Sequence, residues 1–481
     1  MAKGSNTLVK NSILFSIAPF LPKVVNIILL PIMTKYLTDV DFGISGTISA
    51  YTQAIGAFST LGLTVALMNS FYKNPDGYRV LWKELYGFLN LWMIFFAAIQ
   101  AVILFFCIPE EAAENKWWII LLSQFNTVVF GPTGVIGNSY FVYNKQSVPV
   151  VWRSVAASLI TILVDFILIV YLKFGYMGWY VGTFVGTLFT NASYWPVIHF
   201  KLGIKPVYKF RKGSIKNALN LSLPTIPHYY TNYLLEGSGR MVLNQYGVEQ
   251  GEIGRVSISQ QMGDVFQLGI SGLNNAISPY CMQSLKDNDE KKIVGLGKTF
   301  ACVIFVLAFL ISLWSKELFS LLISNSSLQS AYPFFILYIM AFCYRPLYLT
   351  VANYYFYYEH TKQLLTITFA SGILGVLFYI AFVPLWGAWA FFIGHYISCL
   401  YYGYSGYLYK GYRSHSSYRF PFYIFLVVQI LLTLGSFVLV EHIILKSVIT
   451  GLVILLSVVL FFKFKQEIPS ILHKKDTHIV E

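Results

Sequence analysis

The chain has 481 residues, of which 56% are hydrophobic and only 11% are charged, and its mean hydropathy is +0.62. This composition excludes an ordinary soluble domain and indicates a membrane protein. The formal net charge of +13 indicates attraction to anionic lipid headgroups. Membrane lipids are therefore expected partners, and nucleic acid is not.

Apolar stretches of about 20 residues recur along the chain, and each is long enough to cross the hydrocarbon core as a helix. They lack the alternation, over about ten residues, of a membrane β-barrel. We predict about fourteen spans, at 13–33, 43–71, 85–108, 117–143, 149–172, 176–200, 218–244, 253–280, 299–323, 331–358, 364–383, 387–409, 420–440 and 446–462.

The lysines and arginines predict the orientation of these spans. They gather in alternate connections, which fits an even number of spans with both termini on the cytoplasmic side. Two of the predicted outer connections are acidic instead, PEEAAENK at 109–116 and GVEQGE at 247–252.

Three stretches of the first half recur in the second half in the same order. KN with Pro19-x-x-Pro22 returns as KN with Pro224-x-x-Pro227, DFGISGTIS (41–49) faces EIGRVSIS (252–259), and NSYFVYNKQ (138–146) faces NYYFYYEHTKQ (353–363). We therefore predict an all-α polytopic membrane protein with two pseudo-symmetric six-helix lobes around a central cavity. The lobes are 1–208 and 209–412, and 413–481 adds two helices and a cytoplasmic tail.

Prolines interrupt the corresponding spans of the two halves, at Pro19, Pro22, Pro224 and Pro227. A proline frees backbone carbonyls and permits bending, and paired interrupted helices point to a central pathway. The alternative is that both spans are simply kinked packing helices.

Polar side chains follow one face of the predicted span 253–280. They recur at helical spacing and include Ser257, Gln260, Asp264, Gln267 and Asn274. Lipid would leave the hydrogen-bonding groups of such a face without partners, so the pattern predicts the wall of a water-filled cavity. A similar stripe from Ser45 to Thr60 would suit close helix packing equally well.

Charged side chains inside spans cost roughly 2.5–3.5 kcal/mol each and are kept mostly where they face a cavity or a partner. The cations are Lys23, Arg240 and Arg345, and the acids are Asp165, Glu236 and Asp264. Lys23 and Arg345 have no partner nearby in sequence, so we expect a cation-lined cavity for an anionic ligand.

The charged residues leave other interpretations open. Lys23 and Arg345 could snorkel, or pair across helices with Asp165 or Asp264. Glu236 and Arg240, one helical turn apart, could neutralise each other.

The sequence has no GxxxxGK[ST] loop and no HExxH motif, so we expect neither a nucleotide nor a metal cofactor. Coupling to H⁺ or Na⁺ through Asp165, Glu236 or Asp264 stays open. An intramembrane enzyme that uses Asp165 or Asp264 as an acid or base is a further alternative.

The stretches LLPIMTKYLTDVDFGISG (29–46) and LSLPTIPHYYTNYLLEGSGRMVLNQYG (221–247), with the later ISPYC, resemble the Wzx-type O-antigen and capsule flippases of the multidrug/oligosaccharidyl-lipid/polysaccharide (MOP) exporter superfamily. The likeness covers nearly the whole chain. Where the family commonly has an aspartate before the arginine, this chain has Gly239 before Arg240, which leaves Glu236 as the candidate replacement.

The resemblance implies a flippase that moves a polyprenyl-pyrophosphate-linked oligosaccharide across a bacterial inner membrane, with other polysaccharide-assembly membrane proteins as possible partners. Lys23, Arg240 and Arg345 would then hold the pyrophosphate, and the stripe from Gln260 to Asn275 would bind the sugars. One alternative is a multidrug-type antiporter, which should prefer an acidic cavity. Another is a membrane-embedded glycosyl polymerase, and the absence of a large outer loop counts against it.

Overall fold

The computed structural model describes residues 20–416 and 419–464, and all regular elements in these two ranges are helical. The helices of the first half are α1 (Phe20–Tyr36), α2 (Asp39–Gly56), α3 (Thr64–Lys73), α4 (Tyr78–Cys107), α5 (Lys116–Val129), α6 (Gly131–Tyr143), α7 (Ser147–Phe166) and α8 (Tyr176–Pro196). A π-helical turn extends α7 to Tyr171 and another extends α8 to Lys201.

The rest of the described chain continues the helical pattern. Its helices are α9 (Lys212–Ser222), α10 (Ile226–Glu236), α11 (Ser238–Gln245), α12 (Gln250–Lys286), α13 (Glu290–Leu313), α14 (Ser315–Leu322), α15 (Ser326–Gln329), α16 (Tyr332–Ala341), α17 (Tyr344–Tyr357), α18 (Thr361–Trp386), α19 (Ala388–Tyr404), α20 (Lys410–Arg413), α21 (Phe422–Leu439) and α22 (Ile443–Phe464).

Six helical segments of the described chain are long and apolar enough to cross a membrane. A seventh is added if α5 with the turn before it and α6, which meet at 51°, form one bent span. The chain is therefore a multi-pass membrane protein, while the larger number of spans stays a prediction.

Helix contacts divide the described chain into two groups. We call α2–α9 the first bundle and α10–α19 with α21 the second bundle, because most contacts fall within each set. Helix α9 begins beyond the predicted boundary at 208–209 yet packs on α3 and α4, and Arg211 just before it pairs with Glu84 at 3.0 Å. The boundaries 1–208, 209–412 and 413–481 stay predictions.

The two bundles meet most extensively where α2 crosses α12. Two glycines permit this approach: a Cβ at Gly43 would lie 1.8 Å from the Gln250 carbonyl oxygen, and one at Gly254 would lie 1.8 Å from that of Asp39. Small residues let helix backbones come this close. Thr47 Oγ1 donates a hydrogen bond to Gln250 Oε1 at 3.1 Å across the same contact.

The segment around Pro224 and Pro227 is a broken helix. Pro224 lies in a 3₁₀ turn, Leu223–Thr225, between α9 and α10, and Pro227 stands in the first turn of α10. A second break at Gly237 separates α10 from α11. The carboxyl end of α10 and the start of α11 are thereby brought to the junction of the bundles.

Candidate functional site

A cavity of about 380 Å³ lies where α1, α2, α7, α8 and α10–α12 meet. Four charged side chains line it, namely Asp165, Glu236, Arg240 and Asp264. We call it the charged cavity. Its described lining has three carboxylates and one cation, which differs from the cation-rich cavity that the sequence led us to expect.

Arg240 is the cation of the charged cavity. It lies in the first turn of α11, and its Nη1 atom is 3.4 Å from the position that a Cβ of Gly46 would occupy on α2. Its buried Nε atom has no hydrogen-bond partner. Because a buried guanidinium donor is costly to leave unpaired, Arg240 is suited to bind an anionic ligand group.

Arg345 was expected to line the cavity because it has no partner nearby in sequence, and an ion pair across helices with Asp165 or Asp264 was the alternative. Arg345 lies in the first turn of α17, outside the charged cavity's described lining, and its Nη2 atom is 3.8 Å from Glu236 Oε1. Its guanidinium also lies 5.6 Å from the ring centroid of Tyr344. The described ion pair of Glu236 is thus with Arg345 on another helix, and not with Arg240.

The polar face of α12 is only partly available to a ligand. Ser257, Gln260 and Asp264 line the charged cavity. Gln260 donates to the Glu236 carbonyl oxygen and Gln267 to Glu236 Oε1, both at 2.8 Å, so these amides fasten α12 to the end of α10. Asn274 lies further along α12, outside this cavity's described lining.

The acids proposed for ion coupling all line the charged cavity. Asp165 on α7 is only 7% exposed, and its Oδ1 atom has no hydrogen-bond partner. Asp264 accepts a hydrogen bond from the Tyr338 hydroxyl at 3.1 Å. A buried carboxylate without a donor favours binding of a proton or a cation.

Two of the sequence-predicted residues lie at the edge of the described chain. The backbone of Lys23 belongs to α1, but its side chain is outside the described part, as is Pro19. Pro22 stands in the first turn of α1.

A second and larger cavity of about 690 Å³ opens inside the first bundle. We call it the neutral cavity, because its described lining has hydroxyl and amide side chains from α2, α5, α6 and α8 and no charged side chain. The polar pattern in the sequence pointed to α12 and not to the residues of α5, α6 and α8. The abundant Ser, Thr and Asn of these helices were the available signal.

Solved transporter structures share this fold. A structure described as the inward-facing conformation of a multidrug resistance MATE family transporter of the MOP superfamily aligns with a TM-score of 0.66 at 15% identity, over 85% of this chain and 98% of that one. The lipid II flippase MurJ in its inward closed conformation aligns with a TM-score of 0.64 at 17% identity, over 91% and 100%.

Sequence comparison identifies the family. A Haemophilus influenzae protein, Lsg locus putative protein 1, is 21% identical over 331 residues, which are 68% of this chain and 70% of that protein. The family model for "Polysaccharide biosynthesis protein" matches residues 8–285, more than half of the chain. The chain therefore has the fold of MOP-superfamily transporters and belongs to the polysaccharide biosynthesis protein family.

Proposed function

We propose that this protein is a flippase that moves polyprenyl-pyrophosphate-linked oligosaccharides from the cytoplasmic to the outer leaflet of a bacterial inner membrane. The observation that carries the proposal is the buried cation Arg240, whose Nε atom has no hydrogen-bond partner, in a cavity between two helical bundles. A pyrophosphate is the group of such a substrate that needs a positioned, dehydrated cation. Family membership and the fold shared with a lipid II flippase support this substrate class.

The proposed mechanism is alternating access by about fourteen helices in two lobes, with both termini cytoplasmic. Arg240 holds the pyrophosphate, Lys23 is a further candidate for contact with it, and the lipid tail stays in the membrane. Arg345 acts by positioning Glu236 and not by binding substrate. Asp165, Glu236 and Asp264 are the proposed groups for coupling to H⁺ or Na⁺.

Substitution of Arg240 tests the proposal. We expect Arg240→Gln, expressed in a strain that lacks the native gene, to abolish surface polysaccharide and to trap the lipid-linked sugar in the inner leaflet. Arg413→Gln removes an exposed arginine and should behave as wild type. Normal export by Arg240→Gln at normal protein level would refute the anionic site.

A second candidate function is favoured by the excess of carboxylates in the charged cavity. A cation-coupled antiporter of cationic small solutes prefers an acidic cavity. If this alternative holds, loss of the gene lowers resistance to cationic drugs and leaves the lipid-linked sugar in its normal leaflet.

A further inference from the structure

The neutral cavity has no role in the pyrophosphate site described above. We propose that it is the sugar compartment of the transporter, and that it selects oligosaccharides without charged groups. This inference rests on the proposed flippase function and specifies its substrate. Its volume of about 690 Å³ falls within the range of roughly 300–1,000 Å³ found for pockets that hold organic ligands.

The chemistry of the wall matches neutral sugars. The lining includes Ser123, Asn126, Thr127, Asn138, Thr187 and Asn191, whose hydroxyls and amides both donate and accept hydrogen bonds. Sugar hydroxyls and acetamido groups need both kinds of partner. The carboxylate of a uronic acid, or the charge of another charged sugar, would lose its hydration and meet no opposite charge in the described lining. Burial of an unpaired charge is strongly unfavourable in free energy.

Asn126 in the lining of the neutral cavity has an unsatisfied acceptor. Its side chain is 5% exposed, and its Nδ2 atom donates to the Phe184 carbonyl oxygen at 2.8 Å, which fixes the orientation of the amide. The Oδ1 atom of the same amide is buried and has no hydrogen-bond partner. A donor from a sugar in the cavity would satisfy it.

A glycine on α6 helps to form the cavity wall. A Cβ at Gly134 would lie 2.2 Å from Asn191 Oδ1 on α8. Any larger residue at position 134 would push this amide away, so glycine allows Asn191 to remain in the lining.

The neutral cavity adjoins the charged cavity. Both are lined by Ser45, Ser49, Gln53, Trp179 and Thr183. Trp179, held edge-on to Phe42 at a centroid distance of 4.7 Å, supplies an apolar surface with a polar edge in this shared wall. One molecule can therefore place its pyrophosphate at Arg240 and its sugars in the neutral cavity.

This assignment replaces the sugar wall expected on α12. Gln260 and Gln267 already donate to Glu236 and bind α12 to α10. The amide donors of these two side chains are therefore engaged within the protein and are not free for a sugar.

Binding to three synthetic probes tests the sugar compartment. The purified full-length protein in lipid nanodiscs is titrated with polyprenyl pyrophosphate alone, with polyprenyl pyrophosphate carrying an uncharged disaccharide, and with the same lipid carrying a uronic acid disaccharide. We expect the neutral disaccharide to raise the affinity above that of the bare lipid and the uronic acid disaccharide to give no gain. If the uronic acid probe binds as tightly as the neutral probe, the selectivity is refuted.

Variants locate the binding to the cavity. Thr187→Val combined with Asn126→Leu should weaken binding of the neutral disaccharide probe about tenfold and leave bare polyprenyl pyrophosphate unaffected. Thr190→Val is the matched control, because Thr190 lies one turn away on α8 and is outside the neutral cavity's described lining. Thr187→Val alone provides a milder test if the double variant unfolds, which its thermal unfolding midpoint would report.

The outcomes separate this inference from the flippase proposal. If bare polyprenyl pyrophosphate binds and the disaccharide adds nothing, the sugar compartment is refuted while the flippase proposal stands. If bare polyprenyl pyrophosphate itself fails to bind, both are refuted.

Discussion

Asp165 is the most isolated acid of the site. Its carboxylate is 7% exposed, one oxygen lacks a donor, and a Cβ at Gly182 on α8 would lie 1.8 Å from that oxygen. The absence of a side chain at Gly182 leaves the space that the carboxylate occupies. A group placed in this way binds a proton or cation more readily than one held by an ion pair.

Replacement of Asp165 tests its role in coupling. In proteoliposomes, Asp165→Asn should transport lipid-linked sugar at the rate of the undriven wild type and lose the stimulation by a pH or Na⁺ gradient. It should not lower the thermal unfolding midpoint, because the asparagine removes an unpaired buried charge. Asp76→Asn, at an exposed loop position, is the control. Full stimulation of Asp165→Asn by both gradients would exclude Asp165 as the coupling group.

At this scale, the sequence identified the charged residues that lie inside helices but not the partners that they take. Helical spacing placed Glu236 one turn from Arg240, because the pattern assumes an unbroken helix. A break at Gly237 separates the helices of the two residues, and the described ion pair of Glu236 is formed with Arg345, which is distant in sequence. Long-range pairing of this kind leaves no periodic signal in one sequence.

Equivalent carboxylates join helices in the two halves of the chain. Asp41, near the start of α2, accepts a hydrogen bond from the Tyr176 backbone N–H at 2.9 Å, and Glu252, near the start of α12, accepts one from Ala388 N–H at 2.8 Å. Each bond satisfies an N–H at the first residue of a helix, where a negative charge is favourable. The glycines before these helices, Gly175 and Gly387, have φ values of 55° and 52°.

Removal of these carboxylates should destabilise both halves. Asp41 also accepts from the backbone and the hydroxyl of Thr38, both at 2.7 Å, so Asp41→Ala should cost about 1–3 kcal/mol in the free energy of unfolding. Glu252→Ala should cost a similar amount or less. Chemical unfolding in detergent measures both values, and Asp76→Ala serves as the exposed control. Unchanged stability in both variants would show that the two carboxylates do not fasten the helices.

The breaks in the helix at 212–245 illustrate what the sequence can predict of an element. The prolines indicated the first interruption, because proline removes a backbone donor and clashes with the preceding turn. The break at Gly237 was not expected, since one glycine inside a helix costs only about 1 kcal/mol. Tight packing beside the break favours it. A Cβ at Gly239 would lie 1.9 Å from the Phe391 ring, so α11 lies tightly against α19.

The two bundles of the whole molecule differ in how they are filled. The largest apolar core belongs mostly to the second bundle and includes the fully buried Tyr338, Tyr354, Tyr379 and Tyr407. The first bundle has two smaller cores and the neutral cavity. The repeat predicted similar backbones for both halves, but side-chain volume decides which half is hollow.

The contact between α2 and α12 is the most extensive contact between the bundles. In the proposed alternating-access cycle, we expect these helices to separate when the charged cavity opens on their side. Gly46 and Ser257 give a means of testing this. A Cβ at Gly46 would lie 3.0 Å from Ser257 Cβ, close to the separation of about 3.5–4.5 Å in disulfides.

A reversible covalent link should therefore stop transport. In a chain without its five native cysteines, Gly46→Cys with Ser257→Cys should lose flippase activity on oxidation and regain it on reduction, because the bundles cannot part while the disulfide holds α2 against α12. Each single cysteine variant controls for the effect of the substitution itself, and oxidation should leave its activity unchanged. If transport continues at the wild-type rate with the disulfide fully formed, the substrate crosses without separation of α2 and α12. Alternating access at this contact would then be refuted.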